Sequence, residues 1–124
     1  MNVVFTISSI NYLASAKSLA KSVIHHNPDF KFVYILADKL NNRLPIDYFN
    51  GFEYLEVEEL EIENLEELID NYNIIEFNTA IKPFAVKFLA KKFNCNKIVY
   101  IDPDIILFND LKEVFKNLDK YDFI

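Results

Sequence analysis

Hydrophobic positions along the chain alternate between two spacings. "NVVFTI", Asn2 to Ile7, is a short β-rich run, after which Leu13, Ala16, Leu19, Ala20, Val23 and Ile24 recur at helical spacing as far as Asn27-Pro28. "FKFVYILAD", Phe30 to Asp38, is a second continuous apolar run of the kind a strand covered on both faces requires. It gives way to "KLNNRLP", where Asn41, Asn42 and Pro45 break regular structure. Between Glu53 and Glu67 eight glutamates are mixed with Leu, Val and Ile. That mixture predicts an edge strand, a connection and a short exposed helix through Leu68 and Ile69, with the carboxylates on a solvated face. Helical spacing returns at Ile81, Phe84, Ala85, Phe88 and Leu89, and Pro83 is compatible with it only in or beside the first turn. The helix leads into "KIVYIDPDIILFNDL", Lys97 to Leu111, in which Ile98 to Ile101 reads as a buried strand. Tyr121 to Ile124 reads as the first half of one more strand, pairing beside Ile98 to Ile101. Strands taking turns with helices predict one α/β domain over residues 1–124, with a mainly parallel sheet and right-handed crossovers.

With 124 residues and 52% hydrophobic content, the chain is long enough to bury one core. Because its last apolar run stops in mid-strand, the chain reads as the N-terminal portion of a longer domain. An open sheet edge is then expected to promote self-association. The net charge of −6 excludes nucleic-acid backbone binding, which depends on clustered Lys and Arg, and it means that a diphosphate ligand needs help from a cation. The lone Cys95 excludes an internal disulfide and a multi-cysteine zinc site, and predicts a reducing, cytoplasmic setting with the thiol buried or half-buried. "MNVVFTISSI" lacks the basic start of a signal peptide, and no apolar run approaches the roughly 20 residues that span a bilayer. The single glycine, Gly51, excludes a glycine-rich phosphate loop. His25 and His26, just before Asn27-Pro28, read as partners of a helix C-terminal dipole.

Candidate chemistry concentrates at Asp102 and Asp104. Charges are tolerated where a buried strand leaves its sheet, and in open α/β sheets ligands sit at the carboxyl ends of the strands. Residues i and i+2 of an extended chain point the same way, so the two carboxylates are expected to converge just beyond the strand, with Pro103 stiffening the turn. Two carboxylates in one place repel, and a hard divalent cation such as Mg²⁺ or Mn²⁺, completed by water and substrate phosphates, relieves the repulsion. From the residues alone the alternative stays open that Asp102 caps a turn and Asp104 is merely solvated.

"NTAIKPFAVKFLAKKFNCNKIVYIDPDIILFNDL", Asn78 to Leu111, resembles the central block of bacterial nucleotide-sugar glycosyltransferases of the GT-A fold, in which a T-A-x-K-P-F helix start precedes a Y-[IL]-D-P-D-I strand. "FTISSINYLASAKSLAKSV" is similar to the first strand, nucleotide loop and helix of the glycogenin-like and lipooligosaccharide galactosyltransferase group. The resemblance implies a Rossmann-like GT-A nucleotide-diphospho-sugar transferase fold. It also implies transfer of a sugar from a nucleotide-sugar donor, a UDP-sugar favoured, to a glycan, lipid-linked or protein acceptor, as in bacterial polysaccharide biosynthesis. Asp102 and Asp104 then hold the Mn²⁺ or Mg²⁺ that bridges the donor diphosphate, and Lys82 contacts the diphosphate or sugar. Thr6, Ser8, Asn11 and Tyr12 match the loop that holds base and ribose, Tyr12 offering a face for stacking, with Ser8-Ser9 standing where the group has an acidic residue. Asp38 either lines the same crevice or caps a turn, and Thr79 reads as a helix N-cap. The family's metal-binding histidine comes from a later part of the chain, and neither His25 nor His26 matches it. A working place at the inner face of the membrane is compatible with such chemistry.

Two other classes fit the composition. Magnesium-dependent aspartyl phosphatases and receiver domains use an Asp nucleophile, but carry it on the first strand, with Thr or Val where this chain has Ile106. A catalytically silent nucleotide- or metal-binding fragment is the other.

Overall fold

Strand β1 (Asn2–Ser8) is buried at every position after Asn2, because it has a partner on both edges and a helical layer on both faces. The computed structural model describes residues 1–39, 44–45 and 47–122. β1 pairs in parallel with β2 (Lys31–Leu36), Val4 opposite Phe32 and Ile7 opposite Ile35. On its other edge it pairs in parallel with β4 (Lys97–Tyr100), Val4 opposite Val99 and Phe5 opposite Tyr100. β3 (Glu53–Glu56) joins the outer edge of β2, also in parallel, giving the order β3-β2-β1-β4 among the described residues. The expected α/β class with a parallel sheet is therefore observed.

Alternation along the strands divides the core in two. On one face Val4, Phe32, Tyr34 and Leu36 pack against Leu13, Ala16, Leu19, Ala20 and Val23 of α1 (Leu13–His26) and Phe115 of α5 (Lys112–Asn117). On the other, Val3, Phe5, Ile7, Val33 and Ile35 meet Phe77 of α3 (Ile74–Ala80) and Ile81, Ala85 and Leu89, the last two in α4 (Lys82–Phe93). Helix α1 stops where its spacing predicted, with the Asn27 N–H donating to the Val23 carbonyl at 2.8 Å and its side-chain amide to the same oxygen at 3.1 Å. His25 and His26 occupy its last turn.

Between β3 and β4 the chain forms three helices where two are expected, the added one being α3. The stretch resembling a helix start is the join between two helices, α3 ending at Ala80 and α4 beginning at Lys82, with Pro83 in its first turn as expected. Helix α3 is started by Asn73, which accepts from the N–H groups of Ile75 and Glu76, while Glu76 accepts from the Asn73 N–H. Thr79 is consequently not an N-cap: it lies inside α3 and its hydroxyl donates to the Ile75 carbonyl at 3.1 Å. The acidic stretch forms β3, a 3-10 turn at Val57–Leu60 and the exposed helix α2 (Leu65–Asn71), as anticipated. Tyr121 is exposed and outside any strand, so the strand expected there does not begin with it. Phe123 and Ile124, like Asn41 and Asn42 of the expected breaker loop, lie outside the described residues. Gly51 sits at φ +98, a conformation that favours glycine, in the turn that enters β3. Among the described residues no helix is long and apolar enough to cross a membrane.

Glu53 fastens three elements at once, its carboxylate reaching Lys31 of β2 at 2.8 Å and Lys92 of α4 at 2.9 Å. Burial alone would raise its pKa, but the two ammonium groups outweigh burial and hold it below the ordinary glutamate value. The stabilisation is therefore complete above the ordinary glutamate range and disappears as pH falls through the depressed value. Urea unfolding of the wild type and of Glu53→Gln should show a wild-type advantage near neutral pH that shrinks at acid pH. A difference that stays constant with pH would contradict the linkage.

Candidate functional site

Sheet growth reverses at β1: β2 and β3 extend to one side, and the chain then returns to lay β4 on the other. At such a switch point the loops leaving two adjacent strands part in opposite directions and open a crevice at their carboxyl ends. Here the loops are Ser9–Tyr12 after β1 and Ile101–Asp104 after β4. The Ile101 N–H still donates to the Phe5 carbonyl at 3.0 Å, so pairing persists one residue beyond β4 before the chain turns away.

Asp102-Pro103-Asp104-Ile105 is a tight turn, closed by the Ile105 N–H donating to the Asp102 carbonyl at 3.2 Å. Proline at its second position presets the backbone angle that such turns need. The expectation of an extended chain through both aspartates is thereby corrected: the pairing that held the chain straight ends at Ile101, and a turn presents the two side chains, both exposed. The apolar residues that follow do not resume a strand. They cross the α1 side of the sheet, held by the Leu107 N–H donating to Ser22 Oγ at 3.0 Å and the Leu111 N–H donating to Asn27 Oδ1 at 2.8 Å.

Two further groups converge on Asp102. The Tyr100 hydroxyl donates to Asp102 Oδ1 at 2.8 Å. The Lys82 ammonium, on the first residue of α4, lies 4.0 Å from the centre of the Tyr100 ring. Phe5 meets the same ring edge to face at 5.3 Å. The Tyr100 phenol is pushed above the ordinary tyrosine value, first by burial and then by its bond to Asp102 and the negative charges of Asp102 and Asp104, so it stays a donor. Sequence reasoning read Tyr100 as a core residue. Its position two before Asp102, on the same side of the strand, was the available signal.

The loop after β1 divides its predicted site residues. Thr6 and Ser8 are strand residues, 0% and 1% exposed, on the face that carries α1. Ser8 Oγ lies 3.0 Å from Tyr34 Oη and donates to the Ser9 carbonyl at 3.1 Å, whereas Thr6 Oγ1 has no hydrogen-bond partner among the described residues. Both therefore form the floor beneath the loop. Asn11 and Tyr12 are exposed in the 3-10 turn Ile10–Tyr12, Tyr12 by 53%. Asp38, just past β2, accepts from the Ile10 N–H at 2.9 Å. It thus caps a turn, not its own but the one following β1, and ties the ends of β1 and β2 together.

The donor set suits a hard cation. Asp102 and Asp104 carry carboxylate oxygens on an exposed turn and could hold Mg²⁺ or Mn²⁺, which favour one or two such ligands beside water and phosphate oxygens. Among the described residues no group of three or more His, Cys, Asp or Glu side chains forms a protein-only cage.

A model of the family described as Glycosyl transferase family 8 matches residues 2–121. No curated protein matches the chain. Among solved structures, the galactosyltransferase LgtC in complex with donor and acceptor sugar analogues superposes with a TM-score of 0.61 at 21% identity over 93% of this chain and 42% of that one. An active-site mutant of LgtC gives 0.61 at 21%, over 92% of this chain and 41% of that one. The apo-form glycosyltransferase GlyE of Streptococcus pneumoniae gives 0.56 at 18%, over 93% of this chain and 26% of that one. The chain thus spans about two fifths of the length of LgtC. These likenesses establish the GT-A, Rossmann-like fold.

Because Asp38 reaches across 28 positions of sequence to cap Ile10, Asp38→Ala should loosen the Ser9–Tyr12 loop. A lost cap of this kind costs about 0.5–2 kcal/mol. Hydrogen exchange should show reduced protection of the Ile10 amide in the variant. Unaltered protection would mean that the loop does not depend on the carboxylate.

Proposed function

Because the chain belongs to glycosyl transferase family 8, we propose that it serves the transfer of a sugar from a nucleoside diphosphate, a UDP-sugar favoured, to an acceptor hydroxyl, with residues 1–124 supplying the donor side. The observation that carries this reading is the Asp102–Asp104 turn at the reversal between β1 and β4, its Asp102 bonded to the Tyr100 whose ring carries Lys82. LgtC, described as a galactosyltransferase with donor and acceptor sugar analogues, supports the reaction class.

In this reading Asp102 and Asp104 hold a divalent cation at the donor diphosphate. When bound, Mg²⁺ or Mn²⁺ supplies Lewis-acid stabilisation of the charge that gathers on the departing diphosphate. Lys82 adds a second positive charge to the same group, which matters in a chain of net charge −6. Tyr12 offers its ring to the base and Asn11 its amide to base or ribose, while Asp38, Ser8 and Thr6 keep the loop in place from below. The bond between the anomeric carbon and the diphosphate oxygen breaks, a bond to the acceptor oxygen forms, and the acceptor hydroxyl's proton passes to the departing diphosphate. A glycan, a lipid-linked sugar or a protein provides that hydroxyl. One buried cysteine, Cys95, fits a reducing, cytoplasmic workplace, at the inner membrane face if the acceptor is lipid-linked.

Calorimetric titration of UDP with and without Mn²⁺ tests the assignment. Affinity should depend on the metal in the wild type, and Asp102→Ala or Asp104→Ala should each weaken the Mn²⁺-dependent binding about tenfold or more, since each removes a charged ligand. Equal Mn²⁺-dependent affinities in wild type and both variants would sink it.

A further inference from the structure

The Lys82 ammonium shares Tyr100 with Asp102 without forming an ion pair with it. Among the described residues no carboxylate is within ion-pair distance of it, as one is of Lys31, Lys39, Lys92, Lys97 and Lys112. The ring of Tyr100 is its partner instead. Its face holds the ammonium, 4.0 Å from the ring centre, while its hydroxyl at the far end donates to Asp102 Oδ1 at 2.8 Å. The ring itself is fixed by Phe5, which is 1% exposed on the central strand and opposite Tyr100 in the sheet register. Cation and carboxylate thus meet opposite features of one side chain: the negative face of the aromatic ring and the donor hydroxyl at its edge.

We propose that Tyr100 is a positioning residue that keeps Lys82 from closing onto Asp102, so that a carboxylate oxygen stays free for a cation while a positive charge waits nearby for a phosphate. This rests on the reading of Asp102 and Asp104 as a metal-binding turn. A direct Lys82–Asp102 pair would be the simplest electrostatic outcome for two such groups, and it would cancel both functions at once: the carboxylate would compete poorly for Mn²⁺ and the ammonium for diphosphate. The ring prevents that pairing at the cost of one aromatic side chain, and its hydroxyl also fixes which oxygen of Asp102 is already occupied.

The two ends of Tyr100 can be removed separately. Binding of Mn²⁺ alone, followed by the electron paramagnetic resonance signal of the free ion, is the readout. Tyr100→Phe keeps the spacing ring and loses the hydroxyl, so Mn²⁺ affinity should fall about 2- to 10-fold, the worth of one hydrogen bond. Tyr100→Leu removes the ring, so Lys82 can close onto Asp102 and affinity should fall further, by about tenfold or more. The decisive comparison is rescue: Lys82→Met should raise Mn²⁺ affinity clearly more in the Tyr100→Leu background, restoring most of the loss, than in the wild-type background. A loss in Tyr100→Leu that Lys82→Met does not restore would overturn the spacing role, as would a Tyr100→Leu protein that binds Mn²⁺ like the wild type. If Tyr100→Leu fails to fold, Tyr100→Met with and without Lys82→Met decides, and a loss of Mn²⁺ affinity that Lys82→Met does not restore counts against the proposal. Asp102→Asn separates the two readings. If it too binds Mn²⁺ like the wild type, the metal site is wrong; if it loses Mn²⁺ while the Tyr100 variants do not, only the role of Tyr100 is wrong.

Discussion

Everything described here depends on β1 being paired on both edges. A parallel strand in mid-sheet has all its backbone groups satisfied by neighbours and both its faces buried, which is why Val3, Val4, Phe5 and Ile7 are almost wholly removed from water. Building β2 and β3 on one edge and then returning to add β4 on the other is what meets that requirement. The reversal leaves the loops after β1 and β4 side by side with no strand between them. The candidate site is thus a by-product of how the central strand is satisfied. Its two halves come from the parts of the chain around residues 8–12 and 101–104, brought together by the register of Phe5 with Tyr100.

Electrostatics explain why the site takes the form it does. A chain of net charge −6 repels a diphosphate, and placing two of its carboxylates at the mouth of the crevice increases the local repulsion unless a cation is shared between them and the ligand. The acidic surface is largely elsewhere, on Val57–Leu60 and α2, where it is solvated. At the site itself the aspartates stand on a turn, and a lysine is held close by an aromatic face.

Much of this was legible in the sequence, and what was not failed for identifiable reasons. Strands β1, β2 and β4 and helix α1 were readable because continuous β-branched runs and a 3–4 residue apolar spacing each correspond to one kind of burial. Helix α3 was not, because in Ile74–Ala80 only Phe77 is buried and seven residues carry too little periodicity to mark Asn73 as its cap or to place Thr79 inside the helix and not at a helix start. Helix α5 is shorter still, with Phe115 as its sole buried residue. The family resemblance assigns Thr6 and Ser8 to the loop after the first strand, yet pairing with Tyr34 and Leu36 carries the strand through them and buries both. Tyr100 was read correctly as a strand residue, but half-burial at the end of an edge strand lets an aromatic side chain serve the core with its ring and the site with its hydroxyl. Composition cannot separate those two uses; position two before an aspartate can.

The most direct measurement is anomalous X-ray diffraction from crystals of the chain soaked with Mn²⁺ and UDP. A manganese peak bounded by the carboxylates of Asp102 and Asp104, with diphosphate oxygens completing its shell and the uracil over the loop of Asn11 and Tyr12, is the expected result. A peak elsewhere on the molecule, or UDP density at the β1–β4 crevice with no metal between it and the two aspartates, would contradict the assignment.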